Sequence, residues 1–232
     1  MDAQDCYNQA ICTLANVSNP LQAPYVLQER TKNFSPKSKI QIIIWAGPSG
    51  VGKGEMAREL EKQGIGRIPR DATRAKRPNE IHGKDYFFRT VDEFKEMISR
   101  DDFVWWSNAG VGGYRGLSIE AIDTVLATHR AAYIDSGGES AIDLPKIPKL
   151  KAYGLSTVMI LPPSFQELSS RMQKRFASDK MADNTEEMQT RLSLATRLLE
   201  KTQGDVDMYV VNDAIENISN AVKALLEALN LK

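Results

Sequence analysis

The sequence predicts an α/β fold, a parallel sheet covered by helices on both faces. Three observations predict it. Apolar runs of strand length at residues 40–46, 131–135, 156–161 and 209–211 alternate with helical stretches; such runs belong to strands buried on both sides of a sheet. The first run passes directly into the glycine-rich turn Gly47-Pro48-Ser49-Gly50-Val51-Gly52-Lys53-Gly54, and residues 55–62 then read as a helix. Thr90 with Glu93, and Ser164 with Glu167, have the spacing of a capping box ahead of helical stretches.

Strand, glycine loop and helix, in that order, are the context of a phosphate-cradling loop, and the fold expected around it is that of the P-loop NTPases. Glycines at 47, 50 and 52 let successive backbone N–H groups turn inward toward phosphate oxygens. The helix N-terminus adds partial positive charge at the same place. Lys53 then reaches the outer phosphates as a point charge. A plain strand-to-helix turn is the alternative, and it has no use for that lysine. The pattern breaks at its last position, where Gly54 replaces the hydroxyl residue that sits on Mg²⁺ in such loops. Water in that place is the expectation; help from Glu55 through water, or weak metal use, are the alternatives.

Composition narrows the partners. Lys+Arg and Asp+Glu balance at 30 each, so nothing favours nucleic-acid or membrane binding through net charge. Cys6 and Cys12 suit neither a disulfide framework nor a zinc site, and free thiols are the better reading. No apolar run approaches membrane-spanning length, and the start, Met1-Asp2-Ala3-Gln4-Asp5, is acidic. A cytoplasmic location is expected, as a monomer or homodimer.

Residues 1–38 are polar and punctuated by Pro20, Pro24 and Pro36. Ile11, Leu14 and Val17 have the spacing of a short amphipathic helix. A loosely packed tail is expected there, with a docking or dimerisation arm as the alternative. Beyond the P-loop helix, Gly64-Ile65-Gly66 ends the segment and an extended stretch begins at 67–69. A helix runs from Thr90 to about Arg100, residues 103–106 read as a strand, and 110–116 as a glycine-rich loop. Ser118 caps a helix through Leu126. After the strand 131–135, which ends in Asp135, come the strand 156–161 and a helix carrying Arg171 and Arg175. A polar stretch at 176–184 precedes a helix with Arg191 and Arg197. The strand 209–211 and a helix capped by Asp213 and Glu216 close the chain.

One segment now stands out: Thr73-Arg74-Ala75-Lys76-Arg77-Pro78-Asn79-Glu80, followed by Gly83-Lys84-Asp85-Tyr86-Phe87-Phe88. With the P-loop, Leu161-Pro162-Pro163-Ser164, the arginines at 171, 175 and 191, and Val211-Asn212-Asp213, it makes the chain resemble the guanylate kinase family over residues 40–230. The resemblance implies an extension at 1–38 and a kinase domain at 39–232, with an acceptor-binding region near 68–117 and a helical lid near 171–197. It implies ATP and Mg²⁺ as cofactors and nucleotides as substrates. Pro48, Ser49, Gly50, Val51, Gly52, Lys53, Gly54, Glu55 and Asn212 would then bind ATP, Asn212 near the adenine. Arg70, Arg74, Arg77, Glu80, Tyr86, Trp105, Arg115 and Asp135 fall in the acceptor site, with Arg74, Arg77 and Tyr86 on the acceptor's phosphate. Lys53, Arg171, Arg175 and Arg191 would serve catalysis. Paired guanidinium forks suit a phosphate monoester, because each binds its oxygens bidentately. Asp135, at a strand's C-terminal end, is a candidate metal-side carboxylate through water, or else a helix cap.

The departures from the family cluster on the reading of guanine. Arg70 stands where the family usually has a small hydroxyl residue, Trp105 where it has an acid, Arg115 near a phosphate-holding tyrosine, Leu117 at a hydroxyl position and Gly137 at a second acid. Guanine offers N–H donors that carboxylates naturally accept. Phosphate transfer to a nucleoside monophosphate, GMP by family default or another nucleotide, is therefore expected. Alternatives are a ribose 1,5-bisphosphate kinase, which shares Arg70 with Arg74, and a non-catalytic module that binds a phosphorylated ligand.

Overall fold

A computed structural model describes residues 5, 8, 9, 12, 26–28, 41–78, 80–108, 110, 113–136, 140–178, 185–202 and 206–231. Its main sheet has six strands. β1 (Val26–Gln28) stands at one edge, followed in space by β10 (Met208–Val211), β9 (Leu155–Leu161), β2 (Ile42–Ala46), β8 (Ala132–Asp135) and β3 (Gly66–Arg67). All pairings are parallel except that of β1 with β10.

Side-chain alternation explains why helices cover both faces. Ile42, Ile44 and Ala46 point into one core with Ala121 and Ile122 of α3 (Ile119–Leu126), Leu144 and Leu150. Ile43 and Trp45 point into the other, which is closed by Met56 and Leu60 of α1 (Lys53–Lys62) and by Val222 and Leu225 of α8 (Ile218–Ala228). Strand β2 is thus buried along its whole length, as its unbroken apolar run requires.

A second, four-stranded sheet carries the 68–117 region in the order β5 (Tyr86–Phe88), β4 (Arg70–Ala72), β7 (Tyr114–Ser118), β6 (Phe103–Asn108). Helix α2 (Val91–Ser99) backs it, and its capping box is present in full: Thr90 Oγ1 accepts from the Glu93 N–H at 3.2 Å, and Glu93 accepts from the Thr90 N–H at 2.7 Å. Stacked rings of Phe94, Phe103 and Tyr114 fill the space between helix and sheet.

Several sequence expectations are corrected. The loop expected at 110–116 gives way to strand β7, because Tyr114–Ser118 pairs with both β6 and β4. Ser118 precedes α3, but its hydroxyl makes no capping bond. The second capping box is half-made: Ser164 Oγ accepts from the Glu167 N–H, while the Glu167 carboxylate turns to Arg171. The loose tail expected at 1–38 also yields where the segment is described. Val26–Gln28 adds a strand to the main sheet, and the Phe165 N–H donates to Asn8 Oδ1. Ile11, Leu14 and Val17 lie outside the described residues. Helices α4 (Ser140–Asp143) and α5 (Pro148–Lys151) lie between β8 and β9, and α6 (Phe165–Ser178) and α7 (Thr185–Thr202) between β9 and β10. Among the described residues no helix is long and apolar enough to cross a membrane.

Candidate active site

The C-terminal ends of β2, β8, β9 and β10 meet at the glycine loop. Gly50 and Gly52 hold the left-handed backbone that only glycine adopts without strain, with φ of 82° and 89°. Gly52 also leaves room for the Asn212 side chain, which a Cβ there would strike. Asn212 is buried and its amide donates to the Val51 carbonyl at 2.8 Å, tying the end of β10 to the loop. The Lys53 ammonium folds back over the loop and donates to the carbonyls of Gly47 at 2.7 Å and Pro48 at 2.9 Å. Its charge is thereby held in the space the loop encloses.

Two arginine-bearing helices approach this loop. Met172 of α6 packs where a side chain on Gly50 would go. Arg171 is engaged on three sides: it donates to Glu167 at 2.7 Å, to the Asn212 carbonyl at 2.9 Å and to the Asp213 carbonyl at 2.7 Å. From α7, Arg191 Nη1 reaches Ser49 Oγ at 3.3 Å. Arg175 belongs to α6, and its side chain lies outside the described residues. Arg197 is exposed on α7. Asp135 ends β8 directly opposite Trp45, one residue before the loop's approach at Ala46, and the Ser136 N–H donates to the Trp45 carbonyl. Helix α4 begins only at Ser140, so Asp135 stands at the strand end beside the loop rather than as its cap. Gly54 and Glu55 are exposed in the first turn of α1, Glu55 paired with Arg58.

A second cationic cluster forms on the smaller sheet. Arg74 lies over the rings of Tyr86 at 4.9 Å and Phe88 at 5.4 Å. Glu80 grips it bidentately at 2.6 and 2.5 Å and also accepts the Arg77 N–H at 2.9 Å. Those hydrogen bonds, from Arg74 above all, lower the Glu80 carboxyl to about 2. Arg70 extends from β4 across the Tyr86 ring, its Nη2 at 3.4 Å from the phenolic oxygen. Arg77 is exposed, its charge still felt by Glu80, and Arg115 is exposed on β7 opposite Ala72 and Ser107.

The positions that depart from guanine reading behave differently. Trp105 and Leu117 are cross-strand partners in the β6–β7 ladder. Leu117 is 0 % exposed in the main core, and the half-buried Trp105 packs against the same cluster. Trp105, expected in the acceptor site, packs on the core through its buried part, an apolar pair standing where the family has an acid and a hydroxyl. The bulge between Phe103 and Trp105 lets Phe103 and Val104 both be buried, and it is Trp106 that faces outward, 44 % exposed. Gly137 and Glu139 lie outside the described residues.

Beneath this sheet sits a pair that sequence reasoning missed. Asp71 is 0 % exposed and accepts from Arg89 Nε at 2.9 Å, while Arg89 stacks over Phe87 at 5.0 Å. Burial raises the Asp71 pKa and the Arg89 hydrogen bond opposes the rise. The pair clamps β4 to the end of β5, which holds Tyr86 and Phe88 under the arginines. A charged residue flanked by Arg70 and Ala72 in a short strand was the available signal.

The Guanylate kinase family model matches residues 39–229. The chain belongs to the guanylate kinase family. The guanylate kinase of Escherichia coli (strain K12) is 33 % identical over 196 residues, covering 82 % of this chain and 89 % of that protein. The guanylate kinase of Mycoplasma mobile is 31 % identical over 191 residues, covering 79 % and 92 %. A crystal structure of guanylate kinase from Anaplasma phagocytophilum shares the fold, with a TM-score of 0.57 at 21 % identity over 84 % of this chain and 89 % of that one. As a member of the guanylate kinase family the chain is a kinase, a phosphotransferase with a nucleotide-binding P-loop.

Proposed function

We propose that the protein transfers the terminal phosphoryl group of ATP to the phosphate of a nucleoside monophosphate that it recognises by its phosphate and only weakly by its base. One observation carries this reading. The Arg74–Tyr86 cluster is built, whereas the buried Leu117 and the half-buried Trp105 form an apolar pair at positions where guanine needs acceptors. A site without matched buried polar groups discriminates poorly among bases.

In this reading the loop N–H groups and Lys53 neutralise the outer phosphates of ATP, and Arg191 approaches from α7 beside Ser49. Arg74 exchanges its Glu80 partner for the acceptor's phosphate and so holds an acceptor oxygen for attack on the terminal phosphorus of ATP. The new P–O bond forms on that oxygen as the bond to the ADP oxygen breaks. Arg171 and Asn212 secure the adenine side by joining α6, β10 and the loop. No side-chain nucleophile is needed.

Mg²⁺ fits the site as an ion carried by the nucleotide. Gly54 offers no hydroxyl, so phosphate oxygens and water would supply its ligands. Asp135, at the end of β8 beside the loop, would hold one of those waters. Bound there, the ion offsets charge on the transferring group.

The test is a kcat/KM screen of GMP, AMP, CMP, UMP and ribose 1,5-bisphosphate with ATP·Mg. GMP should turn over weakly, with little preference over AMP. A hundredfold GMP preference, close to 3 kcal/mol of transition-state discrimination, overturns the reading and shifts attention to Ser107 and Asn108. The second reading, a ribose 1,5-bisphosphate acceptor, is favoured by Arg70, a second cation beside Arg74 on the Tyr86 ring. Turnover confined to the bisphosphate would select it.

A further inference from the structure

The family match begins at residue 39, yet the segment before it touches the nucleotide side of the site in two places. Val26 pairs with Val210 and Gln28 with Met208, so β1 braces the outer edge of β10. That strand runs into Asn212, whose amide is tied to the Val51 carbonyl of the loop. The other contact is at the start of α6. Phe165 is the helix's first residue, and the first N–H groups of a helix have no acceptor within it. The Phe165 N–H donates to Asn8 Oδ1 at 3.2 Å, while Ser164 Oγ serves the Glu167 N–H.

The consequences lie farther along the same helix. Met172 seats against Gly50 of the loop, and Arg171 grips the carbonyls of Asn212 and Asp213. Strand β10 and helix α6 are therefore joined beside the glycine loop by Arg171. The edge of β10 pairs with Val26–Gln28, and the first N–H of α6 is held by Asn8.

We propose that two described parts of this segment, Asn8 and Val26–Gln28, brace the nucleotide wall, and that Asn8 is a positioning residue for ATP, acting through the N-terminus of α6. The assignment of that wall to ATP rests on the function proposed above. The side-chain oxygen is the essential feature. Aspartate at position 8 keeps it and adds a favourable charge at a helix N-terminus; alanine removes it.

The experiment compares full-length wild type, Asn8→Ala and Asn8→Asp by steady-state kinetics, calorimetric binding of ATP·Mg and hydrogen exchange. Asn8→Ala should raise the KM and Kd for ATP about three- to tenfold, the range that losing a helix cap gives. It should speed exchange in the first turn of Phe165–Ser178 and leave the acceptor KM within about twofold. Asn8→Asp should restore the wild-type values. Unchanged ATP affinity in Asn8→Ala, an equal rise in both KM values, or no restoration by Asn8→Asp overturns the proposal. The two readings fail separately. A wild-type protein that binds ATP but transfers nothing refutes the proposed function while the Kd still tests the brace. If it binds no ATP, both the proposed function and the ATP role of the brace are refuted.

Discussion

Two glycines with nearly the same backbone give a measurable separation of strain from contact. Gly52 has φ of 89° and Gly64 has φ of 79°. Alanine at either must hold the left-handed conformation, at a cost of about 1 kcal/mol. Their surroundings differ. A Cβ on Gly64 meets nothing within 4 Å, whereas one on Gly52 meets the Asn212 amide. Displacing that amide loses its 2.8 Å hydrogen bond to the Val51 carbonyl, worth about 1 kcal/mol and more if the carbonyl stays buried. Gly52→Ala should therefore cost about 2–3 kcal/mol and Gly64→Ala about 1. For a chain of this size that corresponds to Tm losses of about 5–10 °C and about 3 °C. Thermal unfolding, with equilibrium urea denaturation to check that the slope is constant, reads both. Only Gly52→Ala should also lose ATP·Mg binding. Equal Tm losses in the two variants would refute the reasoning, because they would leave only backbone strain and no contact with Asn212.

Lys53→Ala should abolish phosphoryl transfer while the Tm falls by no more than about 4 °C, since its ammonium donates to the carbonyls of Gly47 and Pro48 in the loop and no core side chain is removed. Near-normal turnover in a coupled assay would contradict the loop's role. Hydrogen exchange across 171–197 should slow when ATP and acceptor analogues are present together, because Arg171 and Arg191 already bridge these helices to the loop and to β10. Identical exchange with and without both ligands would argue against closure.

The sequence by itself determined what depends on near neighbours in the chain. The buried strand at 42–46 follows from an unbroken apolar run. The loop follows from glycines where φ must be positive, and the Thr90–Glu93 cap from a three-residue spacing. All of these are local rules, so one segment suffices to read them. The ordered motifs then gave the family and the kinase chemistry. Tertiary structure decided what depends on which strands lie side by side. Trp105 and Leu117 look like two separate departures in sequence; the β6–β7 register makes them one apolar pair, Leu117 in the core and Trp105 packed against it. Asp71 and Arg89 lie 18 positions apart, and only strand placement shows that they neutralise each other. Arg171 also joins α6 to the carbonyls of residues 212 and 213, a contact that no sequence spacing announces. The polar segment before residue 39 gains a role only because the edge of β10 leaves a row of backbone groups to pair and α6 begins with an N–H in need of an acceptor.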